Sequence, residues 1–450
     1  MMLPDRFVQR MRKELEGDEY EKFISSLQDP PPTSVRTHAL KTNSIPVEIP
    51  VPWCDLGFYL KERPIFTLDP SFHAGTYYVQ EASSMLIWQV LEKMNLDTHH
   101  PVILDLCAAP GGKSSMIANF LKGRGTLIAN ETVKARANIL KYNLLKEGYA
   151  NVIVTQNDPS HFTPLSGVFD VIFADVPCSG EGMFRKDPAS ALEWSYSHVE
   201  LCCTRQQRII ADILPTLSEN GYLVYSTCTY NHQENIDNIH WICENFGMES
   251  ISLDFPSSWN ITEVQKKQSF GYQCFPHRVN GEGFFMAVLR NRKNNLPSRF
   301  KTKKPSFSRI DRKHSDILRN WLDPESHDIL TLPNGNIYIV AEHSHDLLNL
   351  VASRLWIIQA GITAGNLKNH IFLPDHALAL SLIPLKMPKI ELEKSDALLY
   401  LKKELPAVAW QEKTWALVCF NGNNIGWIKN LGDRINNYLP THYRILMEIK

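Results

Sequence analysis

The chain has 450 residues, about three times the usual domain length, so we expect it to fold as roughly two to four domains. Hydrophobic residues make up 44% and charged residues 21% of the chain, which excludes a disordered, collagenous or coiled-coil protein. The net charge of −1 argues weakly against a nucleic-acid partner, because domains that bind phosphates are usually basic. A neutral sum can nevertheless hide separate patches of opposite charge.

The nine cysteines include no CxxC pair, so the sequence suggests neither a disulfide framework nor a metal site. We therefore expect a protein of the reducing cytoplasm with no bound metal. The N-terminus has no apolar signal core, and no run of about 18 apolar residues occurs. Accordingly, we expect no transmembrane span and no association with a membrane.

Residues 1–95 are expected to form an N-terminal α+β extension. Its first segments read as charged helices that end at Pro30-Pro31-Pro32, and short strand-like pieces follow over residues 46–75. A helix is predicted over residues 81–94.

Short apolar strands then alternate with helices over residues 96–290. Strands are predicted over 102–107, 125–130, 151–155, 169–174, 222–226 and 284–289. Helices are predicted over 114–122, 133–147, 198–217 and 233–245. Continuous apolar strands separated by helices indicate a parallel sheet covered on both faces, and therefore an α/β core.

The sequence changes character after this core. Residues 291–315 are rich in Lys and Arg, which is typical of a solvated basic linker or of an arm that contacts phosphates. Residues 316–450 are expected to form a separate region with a small β-rich module. Its clearest element is a β-hairpin, with strands over 415–420 and 425–428 and a tight turn at Asn421-Gly422.

A ligand-binding turn is predicted where the strand over 102–107 ends. The sequence there is Cys107-Ala108-Ala109-Pro110-Gly111-Gly112-Lys113. In doubly wound sheets ligands bind at the carboxyl ends of the strands, and small residues let a ligand approach the backbone. The next helix also offers free N–H groups. Neither a P-loop nor a GxGxxG turn is present.

Acidic residues follow the next two strands. Glu131 lies about 20 residues after the glycines, where an acid accepts hydrogen bonds from the two hydroxyls of a ribose. Asp158 follows the strand over 151–155 and could bind an adenine amino group. Acids at successive strand ends, without a phosphate-binding loop, suit a nucleoside ligand that lacks phosphates. S-adenosylmethionine is the common ligand of this kind.

Two cysteines lie at the ends of strands that are neighbours in a parallel sheet, Cys178 in Asp175-Val176-Pro177-Cys178 and Cys228 in Thr227-Cys228. A thiolate that attacks C6 of a pyrimidine makes C5 nucleophilic, and a base must then remove the C5 proton. The chemistry needs a nucleophilic thiolate, an acid near N3 and a base. Cys228, Asp175 and Cys178 can fill these roles. From the residues alone, the choice between the two cysteines as nucleophile stays open.

Three motifs in order resemble those of the RNA cytosine-C5 methyltransferases of the Sun family. They are CAAPGGK at 107–113, DVPCSG at 175–180 and STCTY at 226–230. The similarity extends to residues 77–85, 275–277 and 281–285. The layout with an appended C-terminal module is similar to the bacterial RsmF type, whose members modify 16S ribosomal RNA.

The resemblance implies a Rossmann-like class I methyltransferase core that uses S-adenosylmethionine. It also implies an RNA-binding N-terminal extension and a C-terminal RNA-binding region that is PUA-like at its end. Cys228 is then the nucleophile, and Cys178 assists release of the product. The implied cofactor contacts are Cys107, Ala108, Ala109, Pro110, Gly111, Gly112, Lys113, Glu131, Asp158 and Asp175.

One departure from the family pattern concerns the N-terminal extension. Family members often carry Arg-x-Asn after the proline pair, whereas this chain has Arg36-Thr37-His38, which puts the role of this segment in doubt.

The target base must leave its stack to reach a cysteine in a cleft. The candidates for holding the RNA are Phe184, Arg185, Lys186, Asp187, Arg205, Gln206 and Arg208. The alternative is a solvated helix face or a salt bridge for the polar residues and a place in the core for Phe184.

The leading hypothesis is a monomeric cytoplasmic methyltransferase that acts on C5 of a cytosine in 16S rRNA of the small ribosomal subunit. A transfer-RNA substrate is an alternative. A non-catalytic ribosome-assembly factor is another, although the intact Asp175, Cys178 and Cys228 argue against it. A thiol hydrolase or redox protein would need a positioned histidine or a CxxC pair, and neither is evident.

Overall fold

The computed structural model describes residues 3–94, 100–293, 307–332, 334–404 and 412–449. Much of the predicted basic linker, including Arg299, Lys301, Lys303 and Lys304, lies outside these residues. Among the described helices, none is both long and apolar enough to cross a membrane.

The N-terminal extension combines helices with a small antiparallel sheet. Its helices are α1 (Asp5–Glu14), α2 (Asp18–Ser26), α3 (Pro70–Ala74) and α4 (Ile87–Lys93). Its strands are β1 (Thr33–Thr37), β2 (Ile49–Val51), β3 (Cys54–Leu60) and β4 (Tyr77–Val79), in the spatial order β2-β3-β1-β4. The predicted helix over 81–94 is shorter than expected, because its first residues form a 3-10 turn, Ser83–Leu86.

Two aromatic residues attach the helical pair to the catalytic core. Phe7 and Met11 are four residues apart, so both lie on the buried face of α1. The Phe7 ring packs edge-on against Phe184, and the Phe23 ring of α2 packs edge-on against Tyr230. The extension therefore shares a hydrophobic core with residues that lie next to the predicted active site.

The central α/β core has the predicted alternation. Its strands are β5 (Val102–Asp105), β6 (Thr126–Asn130), β7 (Val152–Thr155), β8 (Phe169–Asp175), β9 (Leu217–Thr227), β10 (Glu249–Ile251), β11 (Thr262–Lys266), β12 (Ser269–Cys274) and β13 (Phe284–Arg290). Its helices are α5 (Gly112–Leu121), α6 (Lys134–Glu147), α7 (Pro188–Glu193), α8 (Tyr196–Ile213) and α9 (Ile236–Phe246).

The strand order of this core fixes where a ligand can bind. The parallel strands run in the order β7-β6-β5-β8-β9, and β13 adds antiparallel to β9. All five residues of β6 are buried, as expected for a sheet with both faces covered. Because the chain order reverses beside β5, the crevice at the carboxyl ends of β5 and β8 is the switch point at which ligands bind. The predicted Rossmann-like fold is confirmed.

The C-terminal region contains two further sheets. Its strands are β14 (Ser308–Arg309), β15 (His327–Thr331), β16 (Asn336–Ala341), β17 (Ile357–Ala360), β18 (Ile362–Lys368), β19 (Ile371–Pro374), β20 (Lys389–Glu391), β21 (Trp415–Phe420), β22 (Asn423–Asn430) and β23 (Ile435–Asn437). Its helices are α10 (Arg312–Leu318), α11 (His345–Ala352), α12 (His376–Leu380) and α13 (Lys394–Leu401).

The predicted hairpin of this region is present. β21 and β22 pair antiparallel, and Asn421 and Gly422 join them with φ values of 47° and 73°. Positive φ at both central residues favours the Asn-Gly pair. The sequence did not predict the position of β17. This strand does not join the C-terminal sheets but pairs antiparallel with β7 of the core. The C-terminal region therefore extends the catalytic sheet itself.

A half-buried lysine joins all three parts of the chain. The Lys41 ammonium donates hydrogen bonds to the carbonyls of Ala74 (2.8 Å), Lys146 (2.5 Å) and Leu380 (3.0 Å). These carbonyls belong to the N-terminal extension, to helix α6 and to helix α12. Burial lowers the pKa of Lys41 to about 8.

His38, which stands where family members often have Asn, lies at the same junction, and its contacts explain its role. Nδ1 of His38 accepts hydrogen bonds from the backbone N–H groups of Leu40 and Lys41, so Nε2 carries the proton and donates to the Glu147 carbonyl at 3.0 Å. Its ring also stacks on Tyr149, with the centroids 5.3 Å apart. Burial, together with the nearby Lys41 charge, keeps the pKa of His38 well below its usual value. His38 therefore serves packing rather than catalysis.

Candidate active site

The loop after β5 lies across the ends of three strands. Leu106 donates a backbone hydrogen bond to Phe173 of β8, and Ala108 donates one to Asn130 of β6. Gly111 has a φ of 116°, in the region that favours glycine, and a Cβ there would lie 3.3 Å from Leu140. Helix α5 begins at Gly112, so its first N–H groups face the same crevice.

A cavity of about 300 Å³ lies in this crevice. Of the predicted cofactor-binding and catalytic residues, it is lined by Cys107, Ala108, Ala109, Pro110, Gly112, Lys113, Asp175 and Cys228. Gly111, Glu131, Asp158 and Cys178 are not among the lining residues. The structure thus brings the predicted turn, one strand-end acid and one cysteine to a single cavity.

Asp105, the last residue of β5, is a cavity residue that the sequence analysis left without a role. It is fully buried, Oδ2 accepts a 2.5 Å hydrogen bond from the Ser114 hydroxyl, and Oδ1 has no partner within the described part of the chain. Burial raises the pKa of Asp105 to about 7. A buried polar atom without a partner is costly, so Oδ1 is placed to bind a donor on a ligand. Its position as the last residue before the turn was the available signal.

The two other acids predicted for the cofactor lie at the strand ends but outside this cavity. Glu131 is buried, accepts a hydrogen bond from the Val133 N–H and faces Arg136 at 3.4 Å. Asp158 accepts hydrogen bonds from the N–H and hydroxyl of Ser160 and pairs with Arg208 at 3.2 Å. Partial burial raises the pKa of Asp158, but these contacts outweigh burial and lower it to about 2. Asp158 is therefore a carboxylate at neutral pH.

Asp175 is held by two partners. Its Oδ2 pairs with the Lys113 ammonium at 2.9 Å, and its Oδ1 accepts a 2.7 Å hydrogen bond from the Ser226 hydroxyl. Burial lowers the pKa of Lys113, but the nearby carboxyl groups of Asp175 and Asp105 outweigh burial and raise the pKa above its usual value. The Lys113 ammonium also lies 5.3 Å from the centre of the Phe284 ring. Lys113 therefore remains charged beside the Asp175 carboxylate.

The two strand-end cysteines are in contact. The Sγ atoms of Cys178 and Cys228 lie 3.2 Å apart, and the backbone N–H of Cys228 points to Sγ of Cys178 at 3.3 Å. Its hydrogen bond with Cys228 and its burial raise the pKa of Cys178 well above the usual value. Both cysteines are half-buried, and Cys228 is the one that lines the cavity.

A buried glutamate holds the turn that carries Cys178. Glu234 accepts hydrogen bonds from the Ser179 N–H (2.8 Å), the Ser179 hydroxyl (2.5 Å) and the Gln206 amide (3.0 Å). Gln206 also donates to the Pro177 carbonyl at 2.9 Å. Burial raises the pKa of Glu234 to about 7. The spacing of these residues in the sequence gave no sign of this network.

Several residues proposed to hold RNA have structural roles instead. Arg185 is buried, pairs with Glu282 at 3.0 Å and donates to the carbonyls of Ser26 and Gly281. Phe184 is fully buried, and Gln206 belongs to the Glu234 network. For these three residues the structural alternative applies and the RNA-binding one does not, because sequence alone does not tell a solvated face from a buried one.

Of the other four residues proposed to hold RNA, two contact protein partners and two are exposed to solvent. Arg208 pairs with Asp158, and Asp187 caps helix α7 through the Ala189 N–H. Lys186 and Arg205 are exposed, and Lys186 lines the cavity beside Cys228.

Residues 77–85 and 281–285, matched by motif but given no role, form one wall of the cavity. Glu81 accepts hydrogen bonds from the N–H groups of Ser83 and Ser84 and, through Oε1 at 2.8 Å, from the N–H of Glu282. Arg36 of β1 donates to the Gln80 side chain at 3.0 Å and to the Ser115 hydroxyl at 2.7 Å. The N-terminal extension therefore supports the cavity directly.

Three family models match successive parts of the chain. Residues 3–82 match the N-terminal domain of 16S rRNA methyltransferase RsmF, and residues 89–290 match 16S rRNA methyltransferase RsmB/F. Residues 387–445 match the methyltransferase RsmF PUA domain. The PUA-like character predicted for the end of the C-terminal region is thereby confirmed.

Relatives match over nearly the full length. The chain is 30% identical to ribosomal RNA small subunit methyltransferase F of Erwinia tasmaniensis, over 98% of this chain and 96% of that protein. It is 28% identical to the protein of the same name from Shewanella loihica, over 98% and 95% of the two chains. The solved structure of a methyltransferase homologue from Pyrococcus horikoshii is 26% identical, with a TM-score of 0.55, over 64% of this chain and 95% of that one. The chain belongs to the RsmF family of S-adenosylmethionine-dependent 16S rRNA methyltransferases.

Proposed function

We propose that this chain methylates C5 of a cytosine in 16S ribosomal RNA through a covalent bond between Cys228 and C6 of the base. The observation that carries the proposal is the pair of thiols, 3.2 Å apart, of which Cys228 lines a cavity that also contains Asp175 and Lys113. A nucleophile, a second thiol and a carboxylate in one crevice are the groups that methylation at C5 requires.

The cavity residues fit S-adenosylmethionine as the cofactor that supplies the methyl group. Oδ1 of Asp105 is a free acceptor for a cationic or N–H donor, and Gly112 leaves room for a ligand against the backbone. We assign the ribose to Glu131 and the adenine amino group to Asp158, because both are acidic residues just beyond the ends of the adjacent strands β6 and β7. The loop from Cys107 to Lys113 completes the set.

Cys228 is assigned as the nucleophile because it lines the cavity and Cys178 does not. Its thiolate adds to C6 of the cytosine, and the ring electrons that this releases make C5 nucleophilic. C5 then takes the methyl group. The Asp175 carboxyl group, held by Lys113 and Ser226, lies within the same crevice to share a proton with N3 of the ring.

Cys178 is assigned to the second half of the reaction. Once Cys228 is bonded to C6 it no longer carries the charge and hydrogen bond that raise the pKa of Cys178, so Cys178 can give its own proton to water. The resulting thiolate takes the proton from C5, and the electron pair of that C–H bond restores the ring double bond as the C6–S bond breaks. Cys228 leaves as a thiolate, so atoms and charges balance. The contact between the two sulfur atoms supports this assignment, because the proton acceptor would lie beside the leaving thiolate.

The substrate class rests on the family relationship. We propose that the enzyme acts as a monomer in the cytoplasm on RNA of the small ribosomal subunit. The test is transfer of a labelled methyl group by the purified protein to 16S rRNA, to assembled small subunits and to transfer RNA, followed by bisulfite mapping. Label at one cytosine of 16S rRNA is expected. Label in transfer RNA alone, or no label with intact cofactor binding, would refute the proposal.

A further inference from the structure

Trp356 is an exposed tryptophan in a chain that buries most of its large aromatic residues. It is 69% exposed, whereas Trp427 and Trp415 of the same C-terminal region are 1% and 6% exposed. Within the described residues, no aromatic ring or cation packs on its indole. Such a residue serves neither the hydrophobic core nor a described contact, so its indole is free to bind a partner.

The backbone of Trp356 is nevertheless firmly held. The Trp356 N–H donates to Oδ1 of Asn157 at 3.0 Å, and the side-chain amide of Asn157 donates back to the Trp356 carbonyl at 3.1 Å. The N–H of Gln156 donates to the same carbonyl at 3.0 Å. The indole is therefore exposed, while the backbone that bears it is fixed by hydrogen bonds.

Further hydrogen bonds connect Asn157 to the cofactor loop. The N–H of Asn157 donates to Oδ1 of Asn130 at 3.0 Å, and the Asn130 amide donates to the carbonyls of Asn157 (2.9 Å) and Leu106 (3.1 Å). Both asparagines are buried. Trp356 is thus held in the same hydrogen-bonded frame as the loop that begins at Leu106.

Trp356 also lies at the catalytic edge of the sheet. Strand β17 runs antiparallel to β7, so Trp356, just before its start, lies beside the carboxyl end of β7. Cys228 follows β9 at the same edge, five strands along in the order β9-β8-β5-β6-β7-β17. At about 4.8 Å per strand, the two residues are roughly 24 Å apart, which a few nucleotides of single-stranded RNA can span.

From this placement we propose that the Trp356 indole stacks on a base of the substrate RNA, a few nucleotides from the target cytosine. Aromatic side chains commonly bind unpaired bases by stacking. Arg354, two residues earlier, is exposed and can contact the phosphate backbone. The inference deepens the proposed function and rests on it, because it assumes an RNA substrate.

The experiment compares Trp356→Ala, Trp356→Tyr and wild type. The control is Ile371→Ala, which removes another exposed apolar side chain of the C-terminal region, 60% exposed on β19. KM and kcat are measured with 16S rRNA, RNA binding is measured by filter retention, and cofactor affinity is measured by calorimetry. Trp356→Ala is expected to raise KM and Kd for RNA by roughly 5- to 150-fold, with kcat and cofactor affinity unchanged. Trp356→Tyr is expected to restore most of the binding, and Ile371→Ala to match wild type.

Three results would overturn the inference. Unchanged RNA binding in Trp356→Ala would show that no base stacks there. A tyrosine variant as weak as the alanine variant would exclude aromatic stacking, and a parallel loss of cofactor affinity would assign Trp356 to support of the Asn157 loop. If wild type binds RNA but does not methylate cytosine, the proposed function fails, while the binding measurements still decide the role of Trp356.

Discussion

The Sγ atoms of Cys178 and Cys228 lie 3.2 Å apart although 50 residues separate them in the chain. The parallel register of β8 and β9 sets Asp175 opposite Ser226, and each cysteine follows its strand within a few residues. Addition at C6 and proton removal at C5 involve adjacent ring atoms. Two thiols in contact can therefore serve both steps without a large movement of the base.

The unpartnered oxygen of Asp105 leads to a prediction about cofactor binding. Asp105→Asn should weaken S-adenosylmethionine binding by roughly 10- to 100-fold, because a charged hydrogen bond contributes about 1.5–3 kcal/mol. Calorimetry on the variant measures this directly. Asp254→Asn, which changes an exposed carboxyl group, is the control and should bind like wild type.

The same residue makes the stability of the cofactor-free protein depend on pH. The folded-state pKa of Asp105 is about 7, above the ordinary value of 3.8, so between these pH values the folded state binds more protons than the unfolded state. The contribution of Asp105 to stability then falls as pH rises from about 4 to about 7. Asp105→Asn removes this loss, so its Tm should exceed that of wild type by more at pH 8 than at pH 5. A difference that does not change with pH would contradict the assignment.

The contacts of Asp158 allow a cofactor role to be separated from a structural one. If its carboxylate binds adenine, Asp158→Ala should weaken cofactor binding by about tenfold, the effect of losing roughly one hydrogen bond. Arg208→Ala removes only the partner of the ion pair and should leave cofactor affinity close to wild type. Equal losses in the two variants would show that the ion pair, and not the carboxylate, matters.

The three-way junction at Lys41 should be important for stability rather than for chemistry. Lys41→Met leaves three buried carbonyls without their donor, and each such loss costs about 1–3 kcal/mol. We expect the free energy of unfolding to fall by roughly 3 kcal/mol or more. Lys61→Met, at an exposed position of the same extension, should change it by less than about 0.5 kcal/mol. Urea unfolding of both variants checks this, and similar values for the two would refute it.

The parts of the fold that follow local pattern could be predicted from the sequence. The strands after Val102 are short apolar runs, and the Asn421-Gly422 turn has a known backbone preference, so both were found. The two cysteines could be placed together because parallel neighbours end at one edge of the sheet. For the strands and the turn, residues close in sequence carry the whole signal.

Other features depend on partners far along the chain. Asn157 bonds to Trp356, 199 residues away, and nothing near either residue indicates that β17 joins the catalytic sheet. Arg185 looks like a basic RNA contact until Glu282, 97 residues later, is seen to pair with it. Buried polar groups need partners, but the sequence does not say which ones.

The most direct test of the account is a denaturing gel of RNA adducts formed by cysteine variants with 16S rRNA and S-adenosylmethionine. Cys178→Ala should accumulate a covalent protein–RNA band, because methylation proceeds and the C5 proton stays in place. Cys228→Ala should give neither adduct nor methylated product. The reverse pattern, with the adduct in Cys228→Ala and none in Cys178→Ala, would contradict Cys228 as the nucleophile.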